Sequence, residues 1–183
     1  GVVNTGVHKL DYNFLDAMGI DVASVDPRNI RVYGNGHGQL PFSNYQAHYD
    51  DLNEYSIYVQ GESDGVFDAG DYVLFYGVSP NTWKYDTTDA LYHHHVHEYS
   101  DTTYYFICTD KGPGLRMQTQ NSSVSAPTNT VTSFDDYGYH EYDAENLNKS
   151  GRTWYGEKID ILSSYSFAFN FPNISTGDSA WCG

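Results

Sequence analysis

Apolar residues recur with period two through much of this chain, and glycine, asparagine and aspartate interrupt them at short intervals. In "DPRNIRVYGNG", Ile30 and Val32 fall on one face and a glycine turn follows. In "NEYSIYVQG", Tyr55, Ile57 and Val59 alternate with Ser56, Tyr58 and Gln60. The segments "DYVLFYG" and "TTYYFICT" are short apolar runs between turn residues, and residues 1–10 carry the same strand-like pattern. Each predicts a strand with at least one buried face. One stretch departs from the pattern. In "DYNFLDAMGID", Phe14, Leu15 and Met18 follow helical spacing and Gly19 supplies a stop, which predicts one short helix near residues 11–19. Strands separated by turn signals, with a single short helix, predict a mainly β fold of antiparallel, sandwich-like modules.

The segment "KGPGLRMQTQNSSVSAPTNTVTS" breaks the alternation with Ser, Thr, Asn and Pro, and reads as a long loop. It places a boundary near Ser125. Residues 1–125 form a β-rich module with the short helix. Residues 126–183 hold further strands, among them the aromatic run "YSFAFNF" with Tyr165, Phe167, Phe169 and Phe171 alternating. These strands either pack on the first module or begin a second. No internal repeat is visible.

Charge narrows the partners. Nine basic against 24 acidic side chains leave a formal net charge of −15, and no Lys/Arg cluster offsets it. Such a surface repels phosphate backbones and anionic lipid faces, so nucleic acid is not an expected partner. With 18 Tyr and 9 Phe the chain carries far more packing surface than a disordered tail. No apolar run approaches the ~18 residues of a membrane-spanning helix, so no membrane insertion by this chain is expected. The aromatic, Gly/Asn/Asp/Ser-rich balance suits an extracytoplasmic β protein. The opening "GVVNTGVHKL" already reads as mid-strand, so a mature or trimmed chain is expected and the missing signal peptide carries no weight.

Several constellations bear on chemistry. Gly34, Gly36 and Gly38 follow a strand but lack phosphate-loop spacing and run into Pro41, so they read as a glycine turn. In "HHHVHEY", strand alternation puts His93, His95 and His97 on one face, where three imidazoles suit a transition metal; a solvated connection is the plainer reading. Alternation puts Tyr104, Phe106 and Cys108 on one face, so Cys108 reads as a buried thiol filling a core position, with a disulfide to Cys182 as the alternative. Neither cysteine has a positioned base, and no serine sits in a nucleophile elbow, so no catalytic residue is assigned. Trp83, Tyr85, Trp154 and Tyr155 could form a stacking platform, but core packing of these rings is favoured. In "ESDGVFDAGD", Glu62, Asp64, Asp68 and Asp71 gather carboxylates suited to calcium, though not at EF-hand spacing. The competing reading is mechanical: two acidic turns with Phe67 as the plug between them.

Four blocks carry a family resemblance: "TGVHKLDYNFLDAMGIDVASVDPRNIRVYGNGHGQLP", "VQGESDGVFDAGDYVLFYGVSPNTWKYD", "YYFICTDKGPGLRM" and "NLNKSGRTWYGEKID". In this order they resemble the region preceding the catalytic domain in PorU-type sortases of the type IX secretion system, within the gingipain-type cysteine peptidases. The resemblance implies a secreted, outer-membrane-associated cell-surface parent that processes exported cargo, with a His/Cys dyad in a caspase-like domain outside this chain. It implies a non-catalytic β region working in scaffolding, docking or substrate presentation. The partners implied are the parent's own catalytic domain and an outer-membrane or cargo protein. No residue here matches the family's catalytic motif, and the final "STGDSAWCG" departs from the family's pattern. A stand-alone extracellular carbohydrate- or protein-binding β module is the alternative expectation.

Overall fold

The computed structural model describes residues 1–151, 153–161 and 163–177. The chain divides into two compact units, residues 1–121 and residues 122–183.

The first unit is built from small antiparallel sheets with very little helix, as the alternation predicts. Strand β1 (Gly6–Asp11) leads directly into helix α1 (Tyr12–Ala17). Asp11 caps the helix, its side chain accepting from the Phe14 amide at 3.0 Å, and Gly19 turns the chain out with φ +85. Of the three apolar residues at helical spacing only Leu15 is buried; Phe14 and Met18 are about half exposed. Two 3-10 turns, Val22–Ser24 and Pro27–Asn29, lead into β2 (Arg31–Gly34).

The next alternating run does more than a simple strand. Residues 53–60 split into β3 (Asn53–Tyr55) and β4 (Tyr58–Gln60), which belong to different sheets. Strand β5 (Tyr72–Gly77) pairs with both β1 and β4, and β2 lies between β3 and β8 (Phe106–Cys108). The chain therefore passes from one sheet to the other at Ser56 and Ile57, with Ile57 fully buried at the crossing.

Register explains the core. In one sheet Leu10 and Val59 both pair with Val73, and His8 pairs with Phe75. In the other, Val32 pairs with Tyr55 and Ile107. Leu10, Val32, Ile57, Val59, Val73 and Phe75 join Val2, Leu15, Val22, Ile30 and Phe67 in one buried cluster shared by both sheets. Tyr105 and Ile107 pack against it. Burial holds the Tyr105 phenol above its ordinary pKa, while its oxygen accepts from the Val78 amide at 2.9 Å.

The opposite faces of these strands are not core. Arg31 pairs with Cys108, and Tyr33 pairs with both Glu54 and Phe106. Cys108 is thus on the outer face, only partly buried, and its thiol donates to Asp110 at 2.9 Å. The expectation of a core thiol is corrected: alternation separates the faces correctly, but Tyr105 and Ile107 take the inward one. Cys182, the expected alternative partner, lies outside the described residues.

Beside these sheets stands a two-stranded hairpin of β6 (Thr82–Asp86) and β7 (Leu91–His95). The second unit differs in kind. Among its described residues the backbone pairing is an isolated bridge between Glu145 and Tyr155. The aromatic run read as a strand forms no ladder there. Tyr165 and Phe167 lie 6.4 Å apart and nearly parallel, as do Phe169 and Phe171, so alternate rings line one side of a segment that has no partner strand among the described residues. The pattern specifies the faces of that segment without supplying the neighbour a strand needs.

Candidate functional site

The acidic loop leaves β4 through Gly61, whose φ of +90 and missing Cβ make room for the Asp71 carboxylate. Glu62 Oε2 then meets Arg116 Nε at 2.7 Å, and Asp64 Oδ1 accepts from the Val66 amide at 3.0 Å. Asp68 and Asp71 close a second turn reciprocally: the Asp68 amide donates to Asp71 Oδ2 at 2.8 Å, and the Asp71 amide donates to the Asp68 carbonyl at 2.9 Å. Between the turns Phe67 is 1 % exposed and stacks on Tyr12 at 6.5 Å. Three of the four candidate calcium ligands thus have a carboxylate oxygen engaged by a donor of the chain. Phe67 plugs the core from between the two turns.

Arg116 is the basic counterpart that sequence reasoning missed. Besides Glu62, its guanidinium donates to the carbonyls of Pro27, Arg28, Ile30 and Leu115 at 2.8 to 3.2 Å. Arg31 does similar work on the outer face, donating to Tyr33, to Glu54 and to the carbonyls of Lys111, Gly112 and Pro113. Both arginines supply donors to irregular backbone that no ladder satisfies.

The histidine run folds as the second strand of the hairpin. Strand β7 ends at His95, so His97 does not continue the alternation. Its ring nitrogen instead accepts from the amides of Tyr99 and Ser100, each at 3.1 Å. Register places Lys84 opposite His93, Thr82 opposite His95 and Asp86 opposite Leu91 on one face; Trp83, Tyr85, Tyr92 and His94 occupy the other. On the first face His93 meets carboxylates. Its Nε2 lies 2.7 Å from Asp89 Oδ2, and ligand atoms of Asp86, Asp89 and His93 all lie within 4.8 Å of one another. The turn positions both acids: Asp86 Oδ1 accepts from the Thr88 amide at 2.7 Å, and Asp89 Oδ1 accepts from the Leu91 amide at 3.0 Å. The Thr88 hydrogen bonds hold the Asp86 carboxyl below its usual range. All three residues are exposed.

The opposite face of the hairpin is aromatic. Trp83 packs against His94 at 4.9 Å and Tyr85 against Tyr92 at 5.1 Å, both pairs tilted. Neither Trp83 nor Tyr85 joins the buried cluster, contrary to the favoured expectation of core packing. Trp154 and Tyr155 are also exposed, but they belong to the second unit. The glycines after β2 form the loop expected, with positive φ at Gly36 and Gly38. They line an open cavity of about 330 Å³ together with His37, His48, Tyr49 and Tyr55. In the second unit, His140 stacks on Phe167 at 4.0 Å and its Nε2 lies 2.7 Å from Glu157, a hydrogen bond that holds the Glu157 carboxyl below its usual range.

No family model matches the chain, and no curated protein does. No helix among the described residues is long and apolar enough to cross a membrane. Among solved structures the chain is similar to dimeric latent PorU from Porphyromonas gingivalis, at 31% sequence identity over 68% of this chain with a TM-score of 0.51. The chain spans 10% of the length of that protein, so the likeness is to one PorU region and to its fold.

Proposed function

We propose that this chain is part of the non-catalytic β region of a PorU-like cysteine peptidase, a sortase that processes type IX secretion cargo at the bacterial cell surface. The observation that carries the reading is the 31% identity to PorU over 68% of the chain. Its task is scaffolding, docking or substrate presentation. Its partners are the parent's own catalytic domain and an outer-membrane or cargo protein. A surface that is acidic and tyrosine-rich suits such recognition, because aromatic residues supply contact area and charge selects basic partners. The test is to read the gene on both sides of this sequence and then delete the region from the parent. A continuous frame encoding a caspase-like domain with a His/Cys pair, and loss of cargo processing on deletion, is expected. A frame without such a domain refutes the reading.

One observation favours a second reading, a carbohydrate- or protein-binding β module. The face of the hairpin formed by Trp83, Tyr85, Tyr92 and His94 is a ready stacking surface, and its rings lie outside the core. Binding of soluble glycans by the isolated chain, abolished by Trp83→Ala, would favour it.

A further inference from the structure

We propose that the tip of the β6–β7 hairpin is a binding site for a divalent transition cation of the zinc class, with Asp86, Asp89 and His93 as its protein ligands. The site goes beyond the proposed function and does not depend on it.

The argument begins with the fold of the hairpin. Five cross-strand pairs fix the register from Thr82↔His95 to Asp86↔Leu91, so His93 and Asp86 share one face. The four-residue turn between the strands then returns Asp89 to that face, where its Oδ2 lies 2.7 Å from His93 Nε2. Three ligand atoms within 4.8 Å of one another need only small side-chain rotations to meet a common ion. Around a tetrahedral ion with bonds of about 2.0–2.2 Å, ligand atoms sit roughly 3.4 Å apart.

Local bonding prepares the acids for this role. Asp86 and Asp89 each give one oxygen, Oδ1, to a turn amide, which fixes the carboxylate. The other oxygen of Asp89, Oδ2, meets His93 Nε2 at 2.7 Å, and the ion would take the place of the proton between them. The set is mixed rather than purely acidic. An imidazole beside two carboxylates favours zinc or its neighbours over calcium and magnesium, which prefer all-oxygen shells. Three protein ligands at an exposed tip leave further coordination positions for water or for a donor from a partner. Lys84 lies directly across from His93, and its ammonium opposes a cation on this face.

The test is calorimetric titration of zinc into the full chain after removal of metals with chelator, with calcium as the comparison cation. One zinc per chain is expected, with binding weakened at least about tenfold by Asp89→Asn and by His93→Gln. Asp86→Asn should weaken it as well, and Lys84→Gln should tighten it. A His94→Gln/His95→Gln double variant should bind like the parent chain. Far-UV circular dichroism of each variant confirms that the fold is kept, and the visible bands of bound cobalt report the ligand set independently. Absence of zinc binding overturns the proposal. So does binding that survives loss of both carboxylates but disappears in the His94/His95 variant, because the histidine run alone would then hold the metal.

Discussion

Replacing Arg116 tests whether the acidic loop works through an ion pair inside the fold. The Arg116 side chain is only 20% exposed, and its guanidinium satisfies Glu62 plus four backbone carbonyls. Those of Pro27, Arg28 and Ile30 surround a 3-10 turn, where the chain cannot offer ladder partners. A hydrogen bond to a charged group contributes about 1.5–3 kcal/mol. Five bonds to one head group do not add, because the carbonyls regain water once the side chain is gone. Arg116→Ala should therefore cost about 2–4 kcal/mol. Arg116→Lys should recover less than half of that loss, since a single ammonium can meet Glu62 but cannot span the carbonyls. Glu62→Gln keeps an acceptor and should cost about 1 kcal/mol. In the double variant that cost should largely vanish, giving a coupling near 1 kcal/mol. Urea unfolding followed by far-UV circular dichroism measures all four. A loss below about 0.5 kcal/mol for Arg116→Ala, or no coupling with Glu62, would refute the reasoning.

Phe67→Ala should destabilise by about 3–5 kcal/mol in the same assay, since the ring is 1 % exposed between two turns that cannot collapse onto the cavity. Tyr105→Phe removes the acceptor of the Val78 amide and should cost about 1 kcal/mol, with little change in near-ultraviolet dichroism from the neighbouring rings. Calcium binding by Glu62, Asp64, Asp68 and Asp71 is tested by melting in chelator and in millimolar calcium. A true site adds about 2.7 kcal/mol at a hundred times its dissociation constant, and identical melting removes it. The Glu157 carboxyl, held low by His140, contributes stability that is fully present above the ordinary carboxylate range and lost as pH falls through its folded value. Acid titration of Glu157→Gln should accordingly show a weaker loss of stability than the parent below about pH 4.

Period two was enough to place the core strands. Ile30 and Val32, and Ile57 and Val59, are buried where alternation puts them, and the apolar run "DYVLFYG" buries Val73 and Phe75. The same pattern could not say which face turns inward when both are apolar. In "TTYYFICT" the choice between Tyr104/Phe106/Cys108 and Tyr105/Ile107 rests on β2, whose Arg31 and Tyr33 share the outer face with Cys108 and Phe106. Nor could it show that residues 53–60 change sheets, because a strand that crosses a corner keeps its alternation on either side. The acidic loop was legible as two turns and a plug, since "SDG" and "DAGD" carry their own local chemistry. Its partner was not, because Arg116 is 54 residues from Glu62 and only the folded sheets bring them together.

The histidines show the same limit from the other side. Alternation invites a search along the strand, where residues two apart are separated by about 6.6–7 Å of backbone rise. The partners that matter for His93 lie instead across a turn. "DTTD" announces that turn in sequence, with an aspartate at each end capable of binding its own backbone. Its length sets how far Asp89 returns toward the strand, and the pairing of Lys84 with His93 sets which face it meets. A ligand set assembled across a hairpin depends on register as well as residue type, and register is the quantity that a single strand's pattern leaves open. That dependence also makes the tip separable from the rest of the fold. Asp86, Asp89 and His93 belong to no buried cluster, so changing them should alter cation binding while leaving the Arg116–Glu62 pairing and the core melting transition as they were.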